Sequence, residues 1–362
     1  MIPTIFIGPV PPPITGLAVS VQYIYKNYAG EKYLINLNYT NCSKLKKIVI
    51  LSTAFLKLLV LLITKPSIKR VYFTSAITKE GVIRDIIFLT TISFFKVKII
   101  NHLYGAGFDT LLRKLPKWLF VLALKSYGKI DTSIVLMNEM KSEFDLFKGL
   151  MKLEVVPLFY DQILDDYTHQ ASSSIEYMIN FSFYSNLFYS KGITYTLEAF
   201  DILSKKYSYI HLNIAGDFMG DSFKTKENIK KNLETYSTNH NITYHGVVRG
   251  EKKKNFLSKS DVLIFPSFYE KEGFPISIIE AMRCGNAIIT TNHNYLHYII
   301  NKRQGIVVEK QSVEQIIHAL EVYLRDLNLL RETQEYNSLF AKNNFSLDIF
   351  IKRVHKIINS EE

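Results

Sequence analysis

The stretch DVLIFPSFYEKEGFPISIIEAMRCGNAIITT, residues 261–291, decides how this chain is read. Its opening apolar run, closed by Pro266 and Ser267, has the length and β-branched content of a buried strand. A polar loop follows, then Gly273-Phe274-Pro275, and a helical apolar period sets in from Ile276. The helix is expected to carry Pro275 at its first position, where a missing N–H loses no intrahelical bond. Such a start leaves the N–H groups of Ile276 and Ser277 pointing out of a positive helix end, an arrangement that binds phosphate.

Two acids flank that helix start. Glu272 stands just before it, where a carboxylate can accept hydrogen bonds from sugar hydroxyls. Glu280 lies one turn after Ile276 on the same face, and helical side chains lean toward the N-terminus. Together they predict one ligand with a diphosphate between two polyhydroxylated ends, which describes a nucleotide sugar.

Outward from this stretch the chain alternates strand-like runs with helix-length segments. The runs are residues 4–8, 33–37, 70–74, 96–101, 132–137 and 153–157 in the first half, and 177–184, 209–216, 242–246, 261–267, 286–291 and 305–309 in the second. That alternation predicts βαβ units and parallel sheets. A polar, Ser-rich stretch at 165–177 interrupts it and is read as the linker. The expected domains are 1–165 and 166–340, with the helical end of the chain, 341–362, able to cross back to the first. The fold class is therefore α/β: two Rossmann-like, doubly wound parallel-sheet domains facing across a cleft, with chemistry at the carboxyl edges of the strands.

The 362 residues carry 44 Lys and Arg against 33 Asp and Glu, a net charge of +11. The excess sits almost wholly in the first half: 21 basic against 11 acidic residues up to Asp165, then 23 against 22. Basic clusters at 44–47, 69–70 and 113–118 lie beside apolar and aromatic residues, which suits peripheral contact with an anionic membrane or a phosphorylated partner. No recognised nucleic-acid motif accompanies the charge, so nucleic acid is not expected as a partner.

Cys42 and Cys284 match no disulfide or zinc spacing. The chain opens directly into a strand rather than a secretory signal, so a cytoplasmic location, at the inner face of the membrane, is expected. The apolar run 48–63 contains Lys57 and falls short of a bilayer span, so a buried or interfacial helix is expected there.

The spacing Glu272 to Glu280 is an E-x7-E motif. With its flanking strand, Gly-Phe-Pro and EAM-x-x-G, it resembles the donor-binding core of the retaining glycosyltransferases of family 4, which have the GT-B fold; the similarity is densest over 180–308. The resemblance implies that Glu272 contacts donor-sugar hydroxyls, that Glu280 binds the ribose, and that Gly273, Phe274 and Ile276 meet the phosphates. FYSNLFYSKGITYTLEAF, 183–200, resembles the segment carrying an Arg and a Lys onto the diphosphate. Lys191 matches the Lys, while the Arg position holds Asn186. A lysine there can neutralise the departing diphosphate without bidentate geometry.

NITYHGVV, 241–248, is similar to the strand whose following loop holds the nucleobase, which makes Val247 and Val248 candidates by position. GPVPPPITGLA, 8–18, lacks GxGxxG and resembles the family's glycine loop, with Gly16 nearest the phosphates because a side chain would block the approach. NHLYGAGF, 101–108, resembles the loop beside the reacting sugar, with His102 as the imidazole and Tyr104 where relatives often carry a second His.

The implied reaction is transfer of a hexosyl residue, with retention, from a nucleoside diphosphate sugar to a saccharide or polyprenyl-diphosphate-linked acceptor in surface polysaccharide assembly. His102, Glu272 and Lys191 are the catalytic candidates. No DxD-type motif is placed to hold a metal, LDDYT at 164–168 being read as solvated acid, so no cofactor is expected. An epimerase of the same fold, or a non-catalytic sugar-nucleotide-binding or membrane-scaffold protein, are the alternatives.

Overall fold

The computed structural model describes residues 1–13, 15–38, 42–167 and 178–360. The expected linker, 165–177, lies outside the described residues from 168 onward. Contacts along the chain divide it into two compact units, Met1–Leu158 with Asp348–Glu362, and Phe159–Leu347.

In the first unit β1 (Thr4–Gly8) leads through α1 (Gly16–Asn27) to β2 (Lys32–Asn36), α2 (Lys44–Thr64), β3 (Arg70–Thr74), α3 (Lys79–Ile92) and β4 (Lys98–His102). Then come α4 (Phe108–Arg113), α5 (Lys117–Tyr127), β5 (Thr132–Val135) and β6 (Lys152–Val155). The second unit runs β7 (Ile179–Tyr184), α6 (Ile193–Ser204), β8 (Ile210–Ala215), α7 (Lys226–Glu234), β9 (Ile242–Tyr244), α8 (Glu251–Ser258) and β10 (Val262–Phe265). It continues with α9 (Ile276–Arg283), β11 (Ala287–Thr291), α10 (Leu296–Ile299), β12 (Gly305–Val308), α11 (Val313–Arg325) and α12 (Leu327–Asn344) before α13 (Leu347–Ile358).

All strands pair in parallel, in two six-stranded sheets ordered β2-β1-β3-β4-β5-β6 and β12-β11-β10-β7-β8-β9. Every strand-like run of the sequence overlaps a strand: β1 and β3 coincide with theirs, β2, β4 and β6 reach one residue past theirs, and the others are trimmed at one or both ends. Residues 261–267 shorten to Val262–Phe265 because Pro266 has no N–H to give the ladder. β1, β3, β10 and β11 are buried at every position, as expected of parallel strands covered on both faces.

Strand order reverses at two places. β1 has β2 on one side and β3 on the other, and β7 has β8 on one side and β10 on the other. Loops leaving neighbouring strands at such a switch point diverge to opposite faces and open a crevice at the carboxyl edge. In the second sheet the loops are 185–192, after β7, and 266–275, after β10.

One expectation about a helix is corrected. The apolar run 48–63 belongs to a longer helix, α2, of 21 residues, because Ser43 caps it by accepting from the Lys46 N–H at 3.3 Å. It is long and apolar enough to cross a membrane, and only Ala54, Leu58, Leu61 and Leu62 are buried. Residues 313–358 form three helices, α12 starting where Asp326 accepts from the Leu329 N–H at 2.9 Å.

The last of them, α13, packs within the first unit. His355 Nε2 hydrogen-bonds the Ile24 carbonyl at 3.0 Å, and the Asn359 carboxamide oxygen accepts from the Ile2 N–H at 3.0 Å and the Tyr28 hydroxyl at 2.9 Å. Arg70 donates to the Ser360 carbonyl at 2.9 Å.

Candidate active site

The β7/β10 switch point brings together residues far apart in sequence. Lys191 ends a 3-10 turn, Tyr189–Lys191, and Gly192 follows in the left-handed region at φ +86° before α6 begins. A Cβ on Gly192 would stand 2.4 Å from the Pro266 carbonyl oxygen, so only glycine lets the two loops close. The Phe268 N–H donates to the Ser190 carbonyl at 2.8 Å and ties them.

Across that junction the Lys191 ammonium forms an ion pair with Glu272, both side chains nearly buried. Ser267 Oγ donates to the same carboxylate at 2.8 Å. Lys191 Nζ lies 5.2 Å from the ring centres of both Phe265 and Tyr269, a cation held between π faces. The expected pair of donor-site groups is thus one assembled unit.

α9 begins at Ile276, with Pro275 as the extended residue before it rather than the first helical position. The Pro275 carbonyl thereby becomes an acceptor, receiving the Ile278 N–H at 3.2 Å, and the amides of Ile276 and Ser277 keep no intrahelical acceptor. Gly273 and Phe274 are buried beneath this helix start, and Ile276 and Ser277 are half-buried.

The direction of α9 is fixed from its other end. The buried Arg283 guanidinium donates to the backbone carbonyls of Asp165 at 2.5 Å and Tyr167 at 3.0 Å, and to Ser338 on α12 at 3.3 Å. The Asp165 and Asp166 side chains are exposed, as expected for LDDYT; Thr168 of that motif lies outside the described residues.

Glu280 is buried and has a partner that sequence reading missed. Lys253, in the first turn of α8, donates to Glu280 at 2.6 Å and to Asp161 at 2.7 Å. Tyr184, at the end of β7, hydrogen-bonds Glu280 as well. Burial raises the Glu280 pKa against the opposing pull of Lys253. The Lys253 ammonium is itself raised, because its two carboxylates outweigh its own desolvation. In EKKKNF nothing marks Lys253 apart from its neighbours, and only the packing of α8 singles it out.

Asp221 was also missed. Its carboxylate accepts the N–H of Ser190 at 2.7 Å, Phe223 at 2.9 Å and Lys224 at 3.0 Å, and these bonds hold its pKa down against the cost of burial. It shapes the turn that presents Lys191.

Of the remaining candidates in this unit, Asn186 is exposed in the loop after β7, Val247 is half-exposed, and Val248 is buried after β9. These loops converge. The Gly216 N–H donates to the Gly246 carbonyl at 2.9 Å, and a Cβ on Gly216 would meet the Ser185 carbonyl at 1.8 Å.

Gly16 and His102 belong to the first unit. Gly16 opens α1 behind Thr15, whose Oγ1 accepts from the Ala18 N–H at 3.2 Å. His102, fully buried at the end of β4, hydrogen-bonds the Tyr72 hydroxyl through Nδ1 at 2.8 Å; Tyr72 contacts the Tyr104 hydroxyl at 3.1 Å. Tyr104 reaches Ser20, which donates to the Gly16 carbonyl at 2.8 Å. His102 and Gly16 are therefore joined by one polar chain, with Tyr104 as a link in it. His102 Nε2 has no partner, and burial drives the imidazole pKa down to about 3.

Comparison with known proteins adds family to geometry. Residues 169–339 match the family described as glycosyl transferases group 1. An uncharacterized glycosyltransferase of Haemophilus influenzae is 24% identical over 160 residues, 44% of this chain and 43% of that one. A second, from Methanocaldococcus jannaschii, is 24% identical over 277 residues, 73% of this chain and 68% of the other.

N,N'-diacetylbacillosaminyl-diphospho-undecaprenol alpha-1,3-N-acetylgalactosaminyltransferase of Campylobacter jejuni is 26% identical over 109 residues, 29% and 28% of the two chains. The chain thus spans less than half the length of two of these three curated relatives. In three dimensions, sucrose-phosphate synthase from Thermosynechococcus elongatus superposes with a TM-score of 0.74 over 98% of both chains at 14% identity. Anabaena HepE in complex with UDP-glucose superposes at 0.69 over 98% and 99% at 12% identity. The chain therefore has the GT-B fold along its whole length, and residues 169–339, within its second unit, match the group 1 glycosyl transferases.

Proposed function

We propose that the protein transfers a hexosyl residue, with retention at the anomeric carbon, from a nucleoside diphosphate sugar to a saccharide or lipid-linked saccharide acceptor in cell-surface polysaccharide assembly. The observation that carries this reading is the Lys191, Glu272 and Ser267 constellation at the β7/β10 switch point, beside the amide end of α9. HepE, whose structure holds UDP-glucose, and the Campylobacter relative, whose name specifies a diphospho-undecaprenol acceptor, support the substrate classes.

In this mechanism Lys191 and the first amides of α9 stabilise the diphosphate as it leaves, which is electrostatic stabilisation by groups already in place. Glu272 orients the sugar hydroxyls, and Lys191 is handed from that carboxylate to the phosphate as the donor binds. Glu280, fixed by Lys253 and Tyr184, receives ribose hydroxyls. His102, neutral at working pH, positions the reacting groups. Phosphate charge then falls on cationic and N–H groups, so a chelator leaves the rate unchanged.

The test is nucleoside diphosphate release by the purified chain on a panel of UDP- and GDP-sugars. Glu272→Gln and Lys191→Met should each lower kcat by about 10²–10³-fold while the circular dichroism spectrum stays native. Full turnover in both variants overturns the assignment.

A further inference from the structure

α2 breaks two local rules at once. Helices that are apolar all round are buried or face lipid, yet this one shows water an apolar stripe, interrupted only at Ser52 and Thr53: Leu45, Val49, Leu56, Val60 and Ile63 are all exposed, Leu45 at 74% and Ile63 at 67%. Its inner stripe, Ala54, Leu58, Leu61 and Leu62, already packs on the sheet. Its first turn holds Lys44, Lys46 and Lys47 with no acid, although the helix dipole disfavours cations at that end. Sequence that contradicts local preference without an internal compensation points to an external partner.

The stripe continues sideways. Right-handed crossovers from β2 to β3, β3 to β4 and β4 to β5 all move the same way across the sheet, so α2, α3 and α5 form one layer on one face. Phe55 of α2 packs edge-on against Phe88 of α3 at 6.0 Å, and Thr90 of α3 hydrogen-bonds Ser126 of α5 at 2.9 Å. The outer side of α3 exposes Ile83 and Ile87, with Phe94 82% exposed just beyond its end, and that of α5 exposes Trp118, at 65%, Val121 and Leu122. From Lys32 to Lys79 inclusive the sequence holds nine Lys and Arg and no Asp or Glu.

We propose that the outer face of the α2–α3–α5 layer docks on an anionic lipid bilayer, with α2 lying in the plane of the interface. An apolar stripe with an exposed Trp and a rim of lysines is the pattern of an interfacial helix, and each Lys near an anionic surface strengthens binding. α2 does not cross: both strands it joins, β2 and β3, are hydrogen-bonded to β1, and spanning would pull its inner stripe out of the sheet's cover. The surface stands apart from the transfer chemistry proposed above, and its test is scored without turnover.

The experiment is co-sedimentation of the whole chain with vesicles of phosphatidylglycerol in phosphatidylcholine, beside phosphatidylcholine alone. Binding should need the anionic lipid and be released by alkaline carbonate. The triple substitution Lys44→Gln, Lys46→Gln, Lys47→Gln should weaken it roughly 100-fold, and Leu56→Gln with Val60→Gln should abolish it; both sets are exposed, so the melting temperature stays put. No binding to anionic vesicles, equal binding by the variants, or retention through carbonate overturns the proposal. A concentration-dependent dimer dispersed by Leu56→Gln with Val60→Gln overturns it too, by assigning the face to a second copy of the chain.

Discussion

A neutral histidine sealed among aromatic rings makes a fold sensitive to acid. His102 stacks at 4.1 Å on Tyr104, and burial holds its pKa near 3 in the folded chain, whereas an unfolded histidine titrates near 6.5. Between those values the unfolded chain binds a proton that the folded one refuses. The stability owed to His102 is therefore complete above about pH 6.5 and is lost as pH falls toward 3, by about 1.4 kcal/mol per unit. Urea unfolding from neutral pH to about 5 should show that slope, and His102→Asn should flatten it; an unchanged slope in the variant would refute the account. The same residue shows why its part in the site was only half legible. A strand-end His before a glycine loop is visible in sequence, but the chain of hydroxyls from Tyr72 through Tyr104 and Ser20 to Gly16 depends on which strands are neighbours.

Elements were read more fully than their junctions. Parallel strands covered on both faces need unbroken apolar runs, and β1, β3, β10 and β11 stood in the sequence for that reason. The start of α9 was misplaced by one residue because proline suits both the position before a helix and the first within it. Lys253 and Asp221 were missed because a lysine in a basic run and an acid in a loop acquire partners only through tertiary packing. Gly192 marks a junction whose meaning the structure supplies: its left-handed backbone lets the start of α6 press against Pro266 in the loop after β10. Gly192→Ala should destabilise the chain by about 1–3 kcal/mol through backbone strain, and its Cβ, meeting the Pro266 carbonyl at 2.4 Å, should shift the loop that carries Lys191. Because the shift moves Lys191 from Glu272, it should also raise the KM for donor in the transfer assay. A variant with wild-type urea midpoint and KM would contradict this.

At the scale of the molecule, the first unit is discontinuous: residues 1–158 are completed by the segment from Asp348, which covers Tyr28, His102 and Ile24 from α13. Ending the chain after Ser346 should therefore loosen amide exchange in β1, α1 and β4 while the strands of the second unit keep theirs. Adding a peptide of residues 347–360 should restore protection, and full protection without it would show that the helix is dispensable. During translation the ribosome must deliver the whole of the second unit before the segment that closes the first one emerges. A product cut short by premature termination would thus carry an open aromatic cluster, ready for proteases, however well its later half had folded.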